Sequence, residues 1–251
     1  MFEACLCLLL LTLIVISLIL RLVKETNAPP RRPLEMTFES SYTNLDAAQK
    51  RQFDVAPRYT ETGVLGLKMP LHLKKKLREA WNRRTTSNRV NENVYNVLYT
   101  ETNENAAHYH DLNSIDPAAA DMLSQYVKSE LMQWTGITDL RLTALYGFRD
   151  YKTGAILKMH LDRFRTHALS AIINVHQDGT PWPLIAYDHH RLRHDVYLED
   201  DDVLLYESGT VIHGRPIPFS GGSFVNIFVH FTCSDWEERV AKPLTAEGYE
   251  S

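Results

Sequence analysis

Cysteine is scarce in this chain: three occur in 251 residues. Cys5 and Cys7 sit in an apolar N-terminal stretch, which leaves Cys233 alone in the remainder. A single thiol forms no internal disulfide, so a disulfide-stapled scaffold is excluded and stability must come from a packed core. An excess of basic residues is also missing. With 27 Lys and Arg against 31 Asp and Glu, the net charge of -4 offers no electropositive field, and nucleic acid is not an expected partner. Internal repeats, low-complexity tracts and Asn-x-Ser/Thr sequons are absent from the sequence.

One long hydrophobic run is present. Ala4–Leu20 carries no charge and is dominated by Leu and Ile, and Leu22 and Val23 continue it past Arg21. That length suits a single membrane-spanning helix. A cleaved signal peptide would have a basic start and small residues at its end, whereas here Glu3 precedes the run and Leu-Arg-Leu-Val-Lys follows it. The expected organisation is a transmembrane anchor over residues 1–25, a Pro- and Arg-containing linker over 26–36, and one domain over 37–251. Arg21, Lys24, Arg31 and Arg32 follow the run, which favours a single-pass protein with its domain in the cytoplasm; the endoplasmic reticulum lumen is the alternative.

Within the domain, residues 36–66 carry no clear pattern. Residues 71–84 read as a basic amphipathic helix with Leu73, Leu77, Ala80 and Trp81 on one face, which makes Lys74–Lys76 a solvated face. A second helix starts at the N-cap Asp116 with Pro117 at its first position and stops at Gly136. Its periodic Ala119, Met122, Leu123, Tyr126, Val127, Leu131 and Trp134 predict core packing. After Gly136 the sequence predicts short strands over 139–150, 155–161, 166–175, 183–187, 195–198, 202–207, 209–213 and 223–232. The fold class expected is mainly β with flanking helices: a double-stranded β-helix, or jelly roll, buttressed by α-helices and preceded by the transmembrane helix.

His160 and Asp162 are two apart in a predicted strand, so their side chains share a face and can grip one metal ion. His213, 53 residues later at the end of another strand, is the candidate third ligand. Two imidazoles and one carboxylate on one side of an ion leave positions open, an arrangement suited to non-haem iron(II), with zinc as the chemical alternative. The run Asp188–Asp195 contains three histidines but falls in a hairpin connection and reads as a solvated loop. His108 and His110 flank Tyr109 in a polar stretch that reads as a loop. Trp182, between two prolines, reads as pocket wall or core.

The stretch Arg149–Asp162, with Tyr151, Gly154, His160 and Asp162 at their spacing, resembles the corresponding segment of the prolyl 4-hydroxylase branch of the iron(II)/2-oxoglutarate dioxygenases. Arg163–Thr166 and the passage from Leu204–Glu207 into Val211–Pro216 are similar to that branch as well, so the resemblance covers about 139–232. It implies iron ligation by His160, Asp162 and His213, which would be the catalytic centre. It further implies 2-oxoglutarate as co-substrate, contacted by Tyr151 and, at a position where relatives carry another contacting side chain, by Ser170. Ascorbate is a further candidate cofactor, and dioxygen a second substrate. The branch supplies a Lys or Arg nine or ten residues after the distal His, where this chain has Gly222 and Ser223. Arg215, two after His213, is the replacement candidate if it points inward, and a rim arginine if it does not; Arg163 and Arg165 are lesser candidates. The expected activity is hydroxylation of a peptidyl, prolyl-like or small-molecule substrate with release of succinate and carbon dioxide. A jelly-roll binding module without turnover and a zinc-dependent hydrolase are the alternatives.

Overall fold

The computed structural model describes residues 36–92, 97–102 and 104–250. The apolar run Ala4–Leu20 lies outside them. Among the described residues, no helix is long and apolar enough to cross a membrane.

Two helices open the described chain: α1 (Phe38–Thr43), capped by Thr37, and α2 (Ala47–Val55), capped by the Asp46 carboxylate accepting from Gln49 N. Strand β1 (Val64–Lys68) leads into α3 (Leu71–Asn82), whose buried face is Leu73, Leu77, Ala80 and Trp81. On its other faces Lys74 pairs with Asp201 and Lys76 with Asp116, leaving Lys75 exposed. Three short strands follow, β2 (Arg89–Glu92), β3 (Leu98–Tyr99) and β4 (Ala107–His110), then a helical turn α4 (Leu112–Ile115). Helix α5 (Pro117–Thr135) has the expected ends: Asp116 accepts from Ala119 N, and Gly136 takes the left-handed conformation at φ 75°. Ala119, Leu123, Val127 and Leu131 are buried, whereas Met122 is exposed.

The rest is β-structure: β5 (Arg141–Leu145), β6 (Phe148–Tyr151), β7 (Ile156–His160), β8 (Leu169–Gly179), β9 (Leu184–Tyr187), β10 (Arg193–Val196), β11 (Asp202–Tyr206), β12 (Ile212–Arg215) and β13 (Gly221–Thr232). They form two antiparallel sheets. The larger runs β1-β11-β8-β13-β6-β4-β2, with β5 also on β13; the smaller runs β10-β9-β12-β7-β3. From β6 onward the chain alternates between the sheets except at the β9–β10 hairpin, the signature of a jelly roll.

Alternation sorts the side chains of the large sheet. Val225, Ile227, Val229 and Phe231 of β13 join the core built with α3 and α5, while Phe224 and Phe228 join a second core between the sheets. A functional cavity therefore has to lie between the sheets.

Several expectations change. The single strand expected over 139–150 breaks at Tyr146–Gly147 into β5 and β6; a Cβ on Gly147 would lie 1.9 Å from His110 O, so only glycine passes there. His108 and His110 belong to strand β4, not to a loop. Both edges of β4 are paired, to β2 and to β6, and His110 is buried edge-on against Trp81. The 188–195 connection is a hairpin whose turn, His190 to Leu192, is exposed as expected, while its first two residues are not. Asp188 is buried, accepting from His190 N, Leu192 N and His194 Nε2, and buried His189 contacts Thr60 O and Thr210 Oγ1.

Candidate metal and oxoacid site

His160 ends β7, Asp162 follows it, and His213 lies on β12 directly opposite His160 in the antiparallel register. The ligand atoms of the three residues all lie within 4.8 Å of one another. Each imidazole is oriented by the backbone: His160 Nδ1 contacts Lys158 O at 2.7 Å, and His213 Nδ1 contacts Val211 O at 2.9 Å. A carbonyl can only accept, so Nδ1 carries the proton in both rings and Nε2 keeps its lone pair. The Nε2 atoms lie 3.5 and 3.8 Å from the same carboxylate oxygen, Asp162 Oδ1. Two neutral imidazole lone pairs and one carboxylate oxygen converging on a point are a divalent-metal donor set.

The second oxygen of Asp162 has different neighbours. Oδ2 accepts from the Tyr206 hydroxyl at 3.3 Å and lies 3.5 Å from His230 Nδ1. Burial would raise the Asp162 carboxyl, but His160, His213, His230 and His167 outweigh it and hold it well below the usual carboxylate range. His213 is pushed down to about 4, by burial first and the His160 ring second, so it is neutral near pH 7. Behind Asp162, His230 stacks on His167 with ring centres 3.7 Å apart.

These groups line one cavity of about 270 Å³. Apolar Leu157, Ile172 and Leu184 line it as well, together with Arg215. Arg215 is 1% exposed and inside the barrel, so it is not a rim residue. Its guanidinium donates to Trp182 O and, at 3.3 Å, to Asn226 Oδ1, and it lies over the rings of Trp182 and Phe224. Among the described residues no carboxylate pairs with it; the charged-form neighbours that oppose burial are the tyrosines 151 and 206. Burial pushes Arg215 down to about 10, which leaves it a cation near neutral pH. A buried cation without an anion is costly unless an anionic ligand completes it.

No protein-family model matches the sequence, and no curated protein matches it. Solved structures do match in fold. A prolyl-4-hydroxylase from Pseudomonas putida is 20% identical, with a TM-score of 0.51 over 74% of this chain and 98% of that one. HygX from Streptomyces hygroscopicus, solved with nickel, 2-oxoglutarate and hygromycin B, is 15% identical, with a TM-score of 0.50 over 75% and 88%. The non-haem alpha-ketoglutarate-dependent epimerase SnoN is 13% identical, with a TM-score of 0.55 over 75% and 84%. The chain has the prolyl 4-hydroxylase fold.

Within that fold the candidates of the sequence fall into separate layers. His160, Asp162, His213 and Arg215 line the cavity. Tyr151 is buried against Trp182 and Phe224, the rings that Arg215 lies over; its hydroxyl makes no hydrogen bond of ordinary geometry to any described residue, and Arg149 and Arg215 are its charged neighbours. Ser170 is fully buried, with its hydroxyl 2.6 Å from both Ser208 Oγ and His230 Nδ1. Ser223 turns to Asp150, away from the cavity. Arg163 is exposed at the mouth, and Arg165 is exposed and donates to Tyr249 O. Trp182 serves as floor for Arg215 and donates its Nε1 to Ile217 O. Sequence reasoning missed Tyr206, Asn226 and His230. The last two could have been found by alternation, since Phe224, Asn226, Phe228 and His230 occupy one face of β13.

Proposed function

We propose that this chain is an iron(II)- and 2-oxoglutarate-dependent dioxygenase. One observation carries the reading: β12 presents a metal ligand, His213, and two residues later an unpaired buried cation, Arg215, to the same cavity. A hydrolytic zinc site would need only the first of these, and the pairing therefore favours a ligand with an anionic end remote from the metal. The residues fit iron(II): two imidazole Nε2 atoms and one carboxylate oxygen would hold it from one side. Bound with 2-oxoglutarate, iron(II) supplies dioxygen activation coupled to decarboxylation of the oxoacid to succinate and carbon dioxide.

The protein's own contribution is orientation and exclusion. Arg215 would take the remote carboxylate of 2-oxoglutarate through its planar fork, and the unpartnered Tyr151 hydroxyl beside it would donate to the same group. Leu157, Ile172 and Leu184 give the same cavity an apolar lining, and a drier cavity would strengthen both grips. Ser170 acts at one remove, by holding His230 beside Asp162. The substrate would enter from the opposite side, past Tyr146, His167 and Arg163. Its class is a peptidyl, prolyl-like group or a small molecule, supported by a fold shared with a prolyl-4-hydroxylase and with a protein holding hygromycin B. The same reading keeps Ala4–Leu20 as a membrane anchor with the domain on the cytoplasmic side, on the strength of the uncharged run and the basic residues that follow it.

The test is anaerobic loading with iron(II) and 2-oxoglutarate, admission of oxygen, and measurement of succinate. His160→Ala, Asp162→Ala and His213→Ala should each abolish succinate formation with the domain still folded. Full activity in any one variant removes that residue from the site, and no succinate from the loaded wild-type chain removes the reading.

A further inference from the structure

The three candidate metal ligands reach the cavity on two chain segments. His160 and Asp162 come from the end of β7, and His213 comes from β12 after the turn that follows β11. Between strands β7 and β12 the ladder ends at the His160–His213 pair, so beyond it another device has to fix the distance between the segments. The main chain supplies one link, Asp162 N donating to Ser208 O at 3.0 Å. A side chain from outside both sheets supplies another.

Gln52, on α2, is 1% exposed, and its amide nitrogen donates twice: to Asp162 O at 3.0 Å and to Gly209 O at 2.8 Å. The two acceptors lie one on each segment: the carbonyl of a ligand itself, and a carbonyl four residues before His213. One turn earlier on the same helix face, Gln49 Nε2 donates to Leu161 O at 2.8 Å. Asp46, Ala48, Gln49 and Gln52 also line the cavity, so α2 forms part of its wall.

We propose that Gln52 is a positioning residue of the metal centre, a staple that sets the spacing between the Asp162 and His213 segments. The proposal rests on the reading of that centre given above. A primary amide is the side chain this task requires, because two carbonyl acceptors need two N–H donors from one point, and Gln Nε2 carries two. Glutamate has the same size but no such donors when ionised, and alanine leaves both carbonyls buried without partners. The helix also has a docking contact that never touches the ligand segments: Arg51 pairs with Glu247 through bonds of 2.9 and 2.7 Å. Loss of that pair loosens α2 and leaves the staple in place.

The experiment is a titration of the full chain with manganese(II), a redox-stable divalent probe, read by electron paramagnetic resonance, together with the melting temperature of each variant. Wild type, Gln52→Ala, Gln52→Glu, Arg51→Ala and His160→Ala are compared. Gln52→Glu and Gln52→Ala should each weaken manganese binding by about ten- to a hundredfold, the range typical of residues that orient metal ligands. Arg51→Ala should lower the melting temperature with manganese affinity unchanged. If Gln52→Ala does not fold, Gln52→Glu decides alone, since it keeps the size and helix preference of the parent. Unchanged manganese affinity in the folded Gln52 variants, with only a lower melting temperature, overturns the proposal and makes Gln52 a helix-docking residue. Manganese binding that His160→Ala leaves intact overturns the reading of the centre itself, and the proposal with it.

Discussion

The Tyr206 hydroxyl donates to Asp162 Oδ2 at 3.3 Å, from a strand of the large sheet to a carboxylate at the end of a strand of the small one. With Oδ1 facing the two imidazoles, the bond divides the carboxylate into a metal side and a protein side. Tyr206→Phe keeps the ring, which packs edge-on against His213, and deletes only the donor. Metal affinity should fall about tenfold with the melting temperature nearly unchanged. Titration of manganese(II) into both proteins checks this, and equal affinities would leave Tyr206 a packing residue.

Arg215 is the second grip. Arg215→Met fills much of the same volume without charge or donors. If 2-oxoglutarate is the missing partner, its apparent affinity should drop by about two to three orders of magnitude, corresponding to roughly 3–5 kcal/mol for one half of a buried ion pair. The melting temperature without ligand should hold or rise, because the variant no longer buries an unpaired cation. Arg215→Lys should recover part of the affinity, since lysine offers a point charge and no fork. A purely structural arginine gives the reverse: a lower melting temperature with the 2-oxoglutarate constant unmoved.

Gly214 separates the two grips. A Cβ there would meet Lys158 O at 2.7 Å and Leu157 O at 2.8 Å, both backbone atoms of β7. Gly214→Ala should push β12 away from β7, costing about 1–3 kcal/mol of stability. Metal and oxoacid binding should weaken together. Urea unfolding and paired ligand titrations measure the two effects; a variant that loses stability but binds both ligands normally would show that β12 moves as a unit.

Glu207 supplies a pH signature away from the cavity. Burial raises its pKa above the usual glutamate value, against the donors Thr60 Oγ1, Tyr59 N and Thr60 N. A raised folded-state pKa means that the folded chain holds the proton more tightly than the unfolded one. The group's favourable contribution is then complete below the ordinary value of 4.5 and declines as pH rises through the raised one. Subtracting the stability of Glu207→Gln from that of the parent across pH 4 to 8 should give a difference that falls with pH. A flat difference would mean that the donors cancel the burial cost.

How far the sequence reaches can be judged residue by residue. His160 and Asp162 are legible because strand alternation puts residues two apart on one face, and Arg215 follows from His213 by the same rule. Helix α5 is legible at both ends, through Asp116 and Gly136, because capping is local chemistry. Strands β2 to β4 are not legible. They are only two to four residues long, and partner strands distant in sequence hold them, as β6 holds β4 with Tyr109 opposite Arg149. The same holds for Gln52, whose acceptors lie 110 and 157 residues away, and for His230, placed beside Asp162 by sheet pairing. Tyr151 and Ser170 show the limit from the other side: a motif gives their strands, but the lack of a partner for the Tyr151 hydroxyl and the Ser208 and His230 partners of the Ser170 hydroxyl are set by sheet pairing.

The bracketing of Gly214 by His213 and Arg215 has a metric consequence. Two residues of extended strand separate the Cα atoms by about 6.6–6.8 Å, and the contacts of Arg215 with Trp182, Asn226 and Phe224 hold the guanidinium at the far end of that span. The cavity would thus carry a built-in gauge for diacid length, anchored at one end by a metal ligand and at the other by a guanidinium that Trp182 and Phe224 hold flat. A five-carbon oxodiacid and its four- and six-carbon homologues differ by one methylene per step. Those homologues should be told apart by reach alone, with no side chain needing to recognise the carbons between.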